Sequence, residues 1–481
     1  MSKKAAPALM NKKDVQKIVR NAEADFKLCW ETIAELKYEG PKDTVTNEII
    51  EFQPRLAKAM YFLEHTYNRL RAEEKALTKK VRLNHKARLQ RLILSKAYRH
   101  ALDQAIDLGK ILGDAFAWIF YQNERKLLKK HYQREPILHF ATGTGGQGEI
   151  TFIEKAPKFG NYLVLYHGTT TFLRLGDISL IDLEQVKVVA IGELKSHKLS
   201  ESEIGVTVNL IGPKLDKSIL PKAEVRTDAH PKMPQMKPEQ LARFQRQVTA
   251  IENSFKPKIT VPIGVEPALC VDWNTDKLDA LYDLSDTRRF RYVKADRGLL
   301  LVGLKMSWRS LWATLLSGKK TEFTKKMAGT QIGAREIVDK NIQDNSITIG
   351  FLPYAAEKRY NLKQGMRPLF WWPLKRKTVE SLIFRRFIVT TFFNPAFLIQ
   401  DLRQSGFAVT CENGSLATIT KQFRGQLLSF AGFSHFIEFI KHYLFPESAV
   451  ATLIHRTVDT LNGKSFKLPA VVHLDLNFSF E

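Results

Sequence analysis

The stretch VKVVAIGELKS (Val186–Ser196) reads as a buried β-strand that leaves the core on a glutamate and a lysine. Its first half is apolar apart from Lys187. Its end places Glu193 and Lys195 two residues apart, on one face of the sheet. The preceding segment, LRLGDISLIDLEQ (Leu173–Gln185), supplies a partner strand. A turn at Glu184–Val186 then sets Asp177 opposite Glu193, where Cβ atoms lie about 4.5–5.5 Å apart. Asp182 is an odd number of residues from Asp177 and is expected on the other face.

Two carboxylates at that spacing repel, and one of them would be forced to keep its proton. A divalent cation removes the penalty. Hard oxygen ligands of this kind suit Mg²⁺ or Mn²⁺, which keep several waters and accept a phosphate oxygen. An ammonium beside them, Lys195, can orient a water and face developing charge, which is the chemistry of phosphodiester hydrolysis. The competing reading is an ordinary Glu193–Lys195 ion pair beside an exposed Asp177.

Gly176-Asp177, then fifteen residues, then Glu193-Leu194-Lys195 resembles the motif of the PD-(D/E)xK nuclease superfamily, with Leu175-Gly176 where a proline usually precedes the aspartate. The resemblance covers a core around residues 100–275, and its fold would be an αβββαβ core. It implies that Asp177 and Glu193 are metal ligands and Lys195 the catalytic lysine. The acidic residue that many members carry on the first helix has Asp114 and Glu124 as candidates here. A glutamine on the helix after the motif strand has Gln245 and Gln247.

Outward from this hairpin, residues 12–37 and 47–133 carry helical apolar periodicity. β-Branched and aromatic runs predict strands near 149–154, 161–167, 171–183, 186–195 and 205–212. A Pro- and Lys-rich loop spans about residues 213–237, followed by a helix from Pro238 and a strand at 266–273. Residues 276–481 read as an α+β region with a hairpin turning at Asn413-Gly414. The expected class is mixed α/β in three parts: a basic helical region (1–100), the nuclease-like core (101–275) and a basic C-terminal region (276–481). Gly143, Gly145 and Gly148 satisfy G-x-G-x-x-G, but the following EITFIE alternates like a strand. The run therefore reads as a flexible turn into that strand rather than a phosphate-binding helix start.

The chain has 481 residues and a formal net charge of +24, which favours a polyanionic partner. Ten of its basic residues lie between Arg71 and Arg99, against Glu73 and Glu74 alone. Lys79, Lys80, Arg82 and Arg88 are candidate phosphate contacts, as are Arg288, Arg289 and Arg291 in RRFRY. Aromatics among basic residues, in RRFRY and in RPLFWWPLKRK (367–377), would stack bases or simply join the core. His167 and His197 flank the motif and are read chiefly as core or surface residues. Cys29, Cys270 and Cys411 lack metal-type spacing and fit free thiols of a cytoplasmic protein. No apolar run approaches the about 18 residues of a membrane span. The sequence thus predicts a metal-dependent endonuclease acting on DNA, with a regulatory protein or a second copy as a further partner. A restriction or anti-phage role fits by analogy. The rival is a non-catalytic nucleic-acid-binding or assembly protein.

Overall fold

The computed structural model describes residues 10–39, 45–79, 85–131, 138–140, 143–159, 161–198, 204–212, 274–287, 289–307, 335–338, 346–352, 367–412, 415–423, 426–430 and 433–462. Lys80, Arg82, Gln245, Gln247, Arg288, the helix and strand expected within 238–273 and the Asn413-Gly414 turn lie outside them. No described helix is long and apolar enough to cross a membrane. The chain divides into two compact units, one built from residues 1–259 with two later segments and the other from most of 260–481. The helices before residue 100 thus share a unit with the central strands.

In the first unit, α1 (Lys12–Tyr38), α2 (Val45–Lys79) and α3 (His85–Tyr121) pack together. Asn11 and Asp14 cap α1 reciprocally, and Val15, Val19, Phe26, Trp30 and Ile33 form its buried stripe. The buried Cys29 thiol on this helix is pushed up to about 12 by desolvation. Arg91 and Arg99 of α3 pair with Glu73 and Glu74 of α2 at 3.1 and 2.8 Å. Two of the ten basic residues between 71 and 99 are therefore spent on packing α2 against α3, and the only two acids with them.

Alpha-helix α4 (Arg125–His131) follows, then α5 (Thr144–Lys155). The strand expected at 149–154 is this helix. Phe152 and Ile153 are buried on it, and α5 packs against α2 and the sheet. Tertiary packing overrides the β-branched alternation of EITFIE. Gly148 permits the approach, since a Cβ there would fall 2.2 Å from Ser196 Oγ. The glycine run therefore opens a helix after all, from Gly143 at φ 74°, though no strand directly precedes it among the described residues.

An antiparallel sheet runs in the order β1 (Lys158–Phe159), β2 (Tyr162–Tyr166), β3 (Ile178–Asp182), β4 (Lys187–Lys198), β5 (Ile204–Ile211). Ile178 pairs with Gly192 and Leu180 with Ala190, the register that sets Asp177 beside Glu193. β3 is shorter than the strand expected at 171–183, because residues 167–177 form a buried turn. Asp182 closes the β3–β4 turn, accepting from the Glu184 and Gln185 amides at 2.9 and 3.1 Å.

The described part of the second unit starts with α6 (Thr275–Leu284) and has a four-stranded antiparallel sheet. Its order is β6 (Arg291–Lys294), β7 (Leu299–Lys305), β9 (Phe387–Phe393), β8 (Thr348–Phe351). A three-stranded sheet follows, β10 (Ala408–Glu412), β11 (Ser415–Phe423), β12 (Gln426–Phe430). Helices α7 (Arg376–Ile383), α8 (Ala396–Gln404), α9 (Phe433–Tyr443) and α10 (Glu447–Asn462) complete the described part. Phe370 and Trp372 are fully buried, so these two aromatics of RPLFWWPLKRK belong to the core. Arg291 pairs with Asp286 at 3.1 Å and Arg289 lies 4.0 Å from it.

Buried Glu447 ties the start of α10 to the β6–β7 turn: its carboxylate accepts from the Gly298 amide at 2.6 Å and its own amide donates to Asp296 at 2.8 Å. Desolvation, with Asp296 nearby, pushes it up to about 7. A carboxyl whose folded value is raised stabilises the fold fully below its unfolded value, near 4.5, and loses that contribution as pH rises through 7. The second unit should therefore lose on the order of 3 kcal/mol between those limits. Unfolding of the Glu447→Gln variant, followed against pH, should show a flatter profile over this window.

Candidate functional site

The site sits where β4 leaves the core. Asp177, one residue before β3, donates its amide to Gly192 O at 2.8 Å. Its Oδ2 accepts from the Leu194 amide at 2.7 Å. The aspartate is thus locked onto the β4 backbone between Glu193 and Lys195. Lys195 Nζ donates to Glu193 Oε2 at 2.8 Å, with the glutamate side chain 1% exposed and the lysine 43%. Asp177 is therefore tied to the β4 backbone at Leu194, the residue between the paired Glu193 and Lys195.

The other glutamate oxygen, Oε1, is buried and has no hydrogen-bond partner among the described residues. A buried carboxylate oxygen without a donor costs at least about 1–3 kcal/mol. A cation at that oxygen would remove the cost, so the donor set fits a hard divalent ion. No group of three His, Cys, Asp or Glu side chains converges among the described residues. Such an ion would complete its shell with water and substrate oxygens, as Mg²⁺ commonly does.

Sequence reasoning missed Glu149. On α5, it accepts from the Tyr166 hydroxyl at 2.6 Å. Tyr166 is fully buried; desolvation first, then Glu149 and Asp177, hold its hydroxyl protonated far above the ordinary range. One tyrosine thus feels both acids. Glu149 was hidden because its segment alternates like a strand; the signal that could have found it is Gly143-x-Gly145, a start for a helix preceding the sheet.

The two residues offered for that place lie elsewhere. Asp114 on α3 accepts from the Thr171 amide and hydroxyl at 2.7 and 2.6 Å, fixing the 167–177 turn. Glu124 lies in the α3–α4 connection, its amide bonded to Tyr121 O. His197 packs over Gly205 on β5. His167 is fully buried and, by desolvation, lowered to about 4. Among the expected phosphate contacts, Arg88 is half-buried near the start of α3 and Lys79 ends α2.

No protein-family model matches this chain, no curated protein matches it, and no solved structure matches it.

Proposed function

We propose that the chain is a metal-dependent nuclease of the PD-(D/E)xK kind, hydrolysing phosphodiester bonds in nucleic acid, with DNA as the expected substrate. The observation that carries this reading is Glu193: a buried carboxylate with one oxygen on Lys195 and the other unpartnered, beside an immobilised Asp177. The helix α5 followed by the antiparallel strands β1 to β4, and the net charge of +24, support it. Asp177 and Glu193 would hold Mg²⁺ or Mn²⁺, which when bound supplies Lewis acidity toward a phosphate oxygen. Lys195, half exposed and anchored at one end by Glu193, is placed to orient the attacking water and to face the charge that grows on the phosphate. Glu149 is linked to this site through Tyr166, from whose hydroxyl it accepts and which also feels Asp177. Defence against foreign DNA fits such an enzyme by analogy only.

The second reading is a nucleic-acid-binding or assembly protein in which Glu193 and Lys195 are a structural ion pair, favoured by their direct 2.8 Å contact. Incubating the full chain with Mg²⁺ or Mn²⁺ and single- and double-stranded DNA and RNA separates the two. The nuclease reading expects cleavage that chelator abolishes; binding without cleavage under every metal and substrate favours the second.

A further inference from the structure

The turn that delivers Asp177 is gripped by two buried imidazoles whose proton positions follow from their partners. His167 Nδ1 faces Gly176 O at 3.1 Å, so it carries the proton and donates. Its Nε2, 2.6 Å from Ser179 Oγ, must then accept the serine proton. Ser179 Oγ in turn accepts from the Tyr121 hydroxyl at 2.6 Å. The relay runs from Tyr121 through Ser179 and His167 to the carbonyl directly before Asp177. The His167 amide also donates to Asp177 O at 2.8 Å.

His131, from α4, grips the same turn from the other side. Its Nδ1 accepts from both the Arg174 and Leu175 amides at 3.1 Å, so its proton sits on Nε2, which is buried without a partner among the described residues. The rings meet edge to face, centroids 5.3 Å apart. A turn needing only packing could be filled by leucines. Instead it carries two polar rings, one at the cost of an orphaned N–H, and every bond they make to the backbone falls within 174–177. Gly176, at φ 71°, lets the turn press this close to β4, because a Cβ there would lie 2.7 Å from Gly192 O.

We propose that His131 and His167 are positioning residues that hold Asp177 at the geometry its metal needs, an inference that rests on the nuclease reading of the site. Supporting groups of this kind typically change metal affinity by about 10–100-fold. The test compares His131→Leu and His167→Leu with His131→Asn and His167→Asn. Asparagine can return the acceptor to the Arg174 and Leu175 amides, or the donor to Gly176 O.

Mn²⁺ affinity is read by calorimetry on protein shown to be folded by circular dichroism. The leucine variants should bind Mn²⁺ at least tenfold more weakly, and the asparagine variants should recover most of the loss. Leucine variants that melt earlier yet bind Mn²⁺ like the wild type would overturn the proposal, because a purely structural role predicts that pattern. Should they not fold, Ser179→Ala, which lacks one hydroxyl, carries the comparison: weakened binding supports the relay and unchanged binding overturns it. If the wild type binds Mn²⁺ no better than Asp177→Asn, the metal reading itself fails and the proposal falls with it. Wild-type binding with unaffected leucine variants removes the positioning role alone.

Discussion

Lys195→Ala and Glu193→Ala should each lose nucleic-acid cleavage by about two orders of magnitude or more, the size expected on deleting one well-placed electrostatic group. On the nuclease reading both should still bind nucleic acid, because phosphate contacts from distributed basic residues would carry the affinity. They should differ toward metal. Glu193→Ala removes a ligand and should lose Mn²⁺ binding. Lys195→Ala keeps both carboxylates and strips Glu193 Oε2 of its 2.8 Å ammonium partner. That variant is destabilised by a buried charge, yet should be stabilised by Mn²⁺ more than the wild type is. At a hundredfold excess over the dissociation constant the gain is about 2.7 kcal/mol. A structural ion pair predicts no such split: both variants would lose stability, neither would respond to metal, and cleavage would not change. Thermal unfolding with and without Mn²⁺, beside the cleavage assay, reads each outcome.

The second large effect is structural. Gly113 lies where α3 meets the turn at His167–Thr169, and a Cβ there would fall 2.0 Å from Thr169 O and 2.8 Å from its carbonyl carbon. Backbone cannot swing aside as a side chain can, so Gly113→Ala should destabilise the first unit by roughly 3 kcal/mol or more. The same change at Gly109 meets only the flexible Met60 side chain and the Phe26 ring at 2.8–3.0 Å, and should cost less. At Gly143 nothing lies within 4 Å and only the positive φ resists, so the cost is about 1 kcal/mol. Urea unfolding that ranks the three otherwise would contradict this account of how α3 supports the Asp177 turn.

The β3–β4 turn pairs Asp182 with Lys187, and only the bulge between Leu180 and Ile181 shifts the register by one so that Ile178 meets Gly192 and Asp177 falls beside Glu193; the hairpin itself was legible because of period-two spacing and a short turn. Lys195 followed for the same reason. Glu149 was not legible, because EITFIE satisfies a strand's alternation as well as a helix's periodicity, and only its packing against α2 and β4 decides between them. The histidine grip on residues 174–177 was equally hidden. His131 is 43 residues from its partner amide at Arg174, and no local pattern encodes that approach. The basic stretch from Arg71 to Arg99 was visible as charge, but not its internal pairing through Glu73 and Glu74, which depends on how α2 and α3 meet.

The most direct measurement is an anomalous difference map from crystals of the full chain grown with Mn²⁺. The account predicts a peak within about 2.0–2.6 Å of carboxylate oxygens of both Asp177 and Glu193, the reach of hard-cation ligation. The same peak should be missing from crystals of Asp177→Asn. A map without density at Glu193 Oε1 at saturating Mn²⁺, or a manganese bound elsewhere with Glu193 still paired only to Lys195, would contradict it.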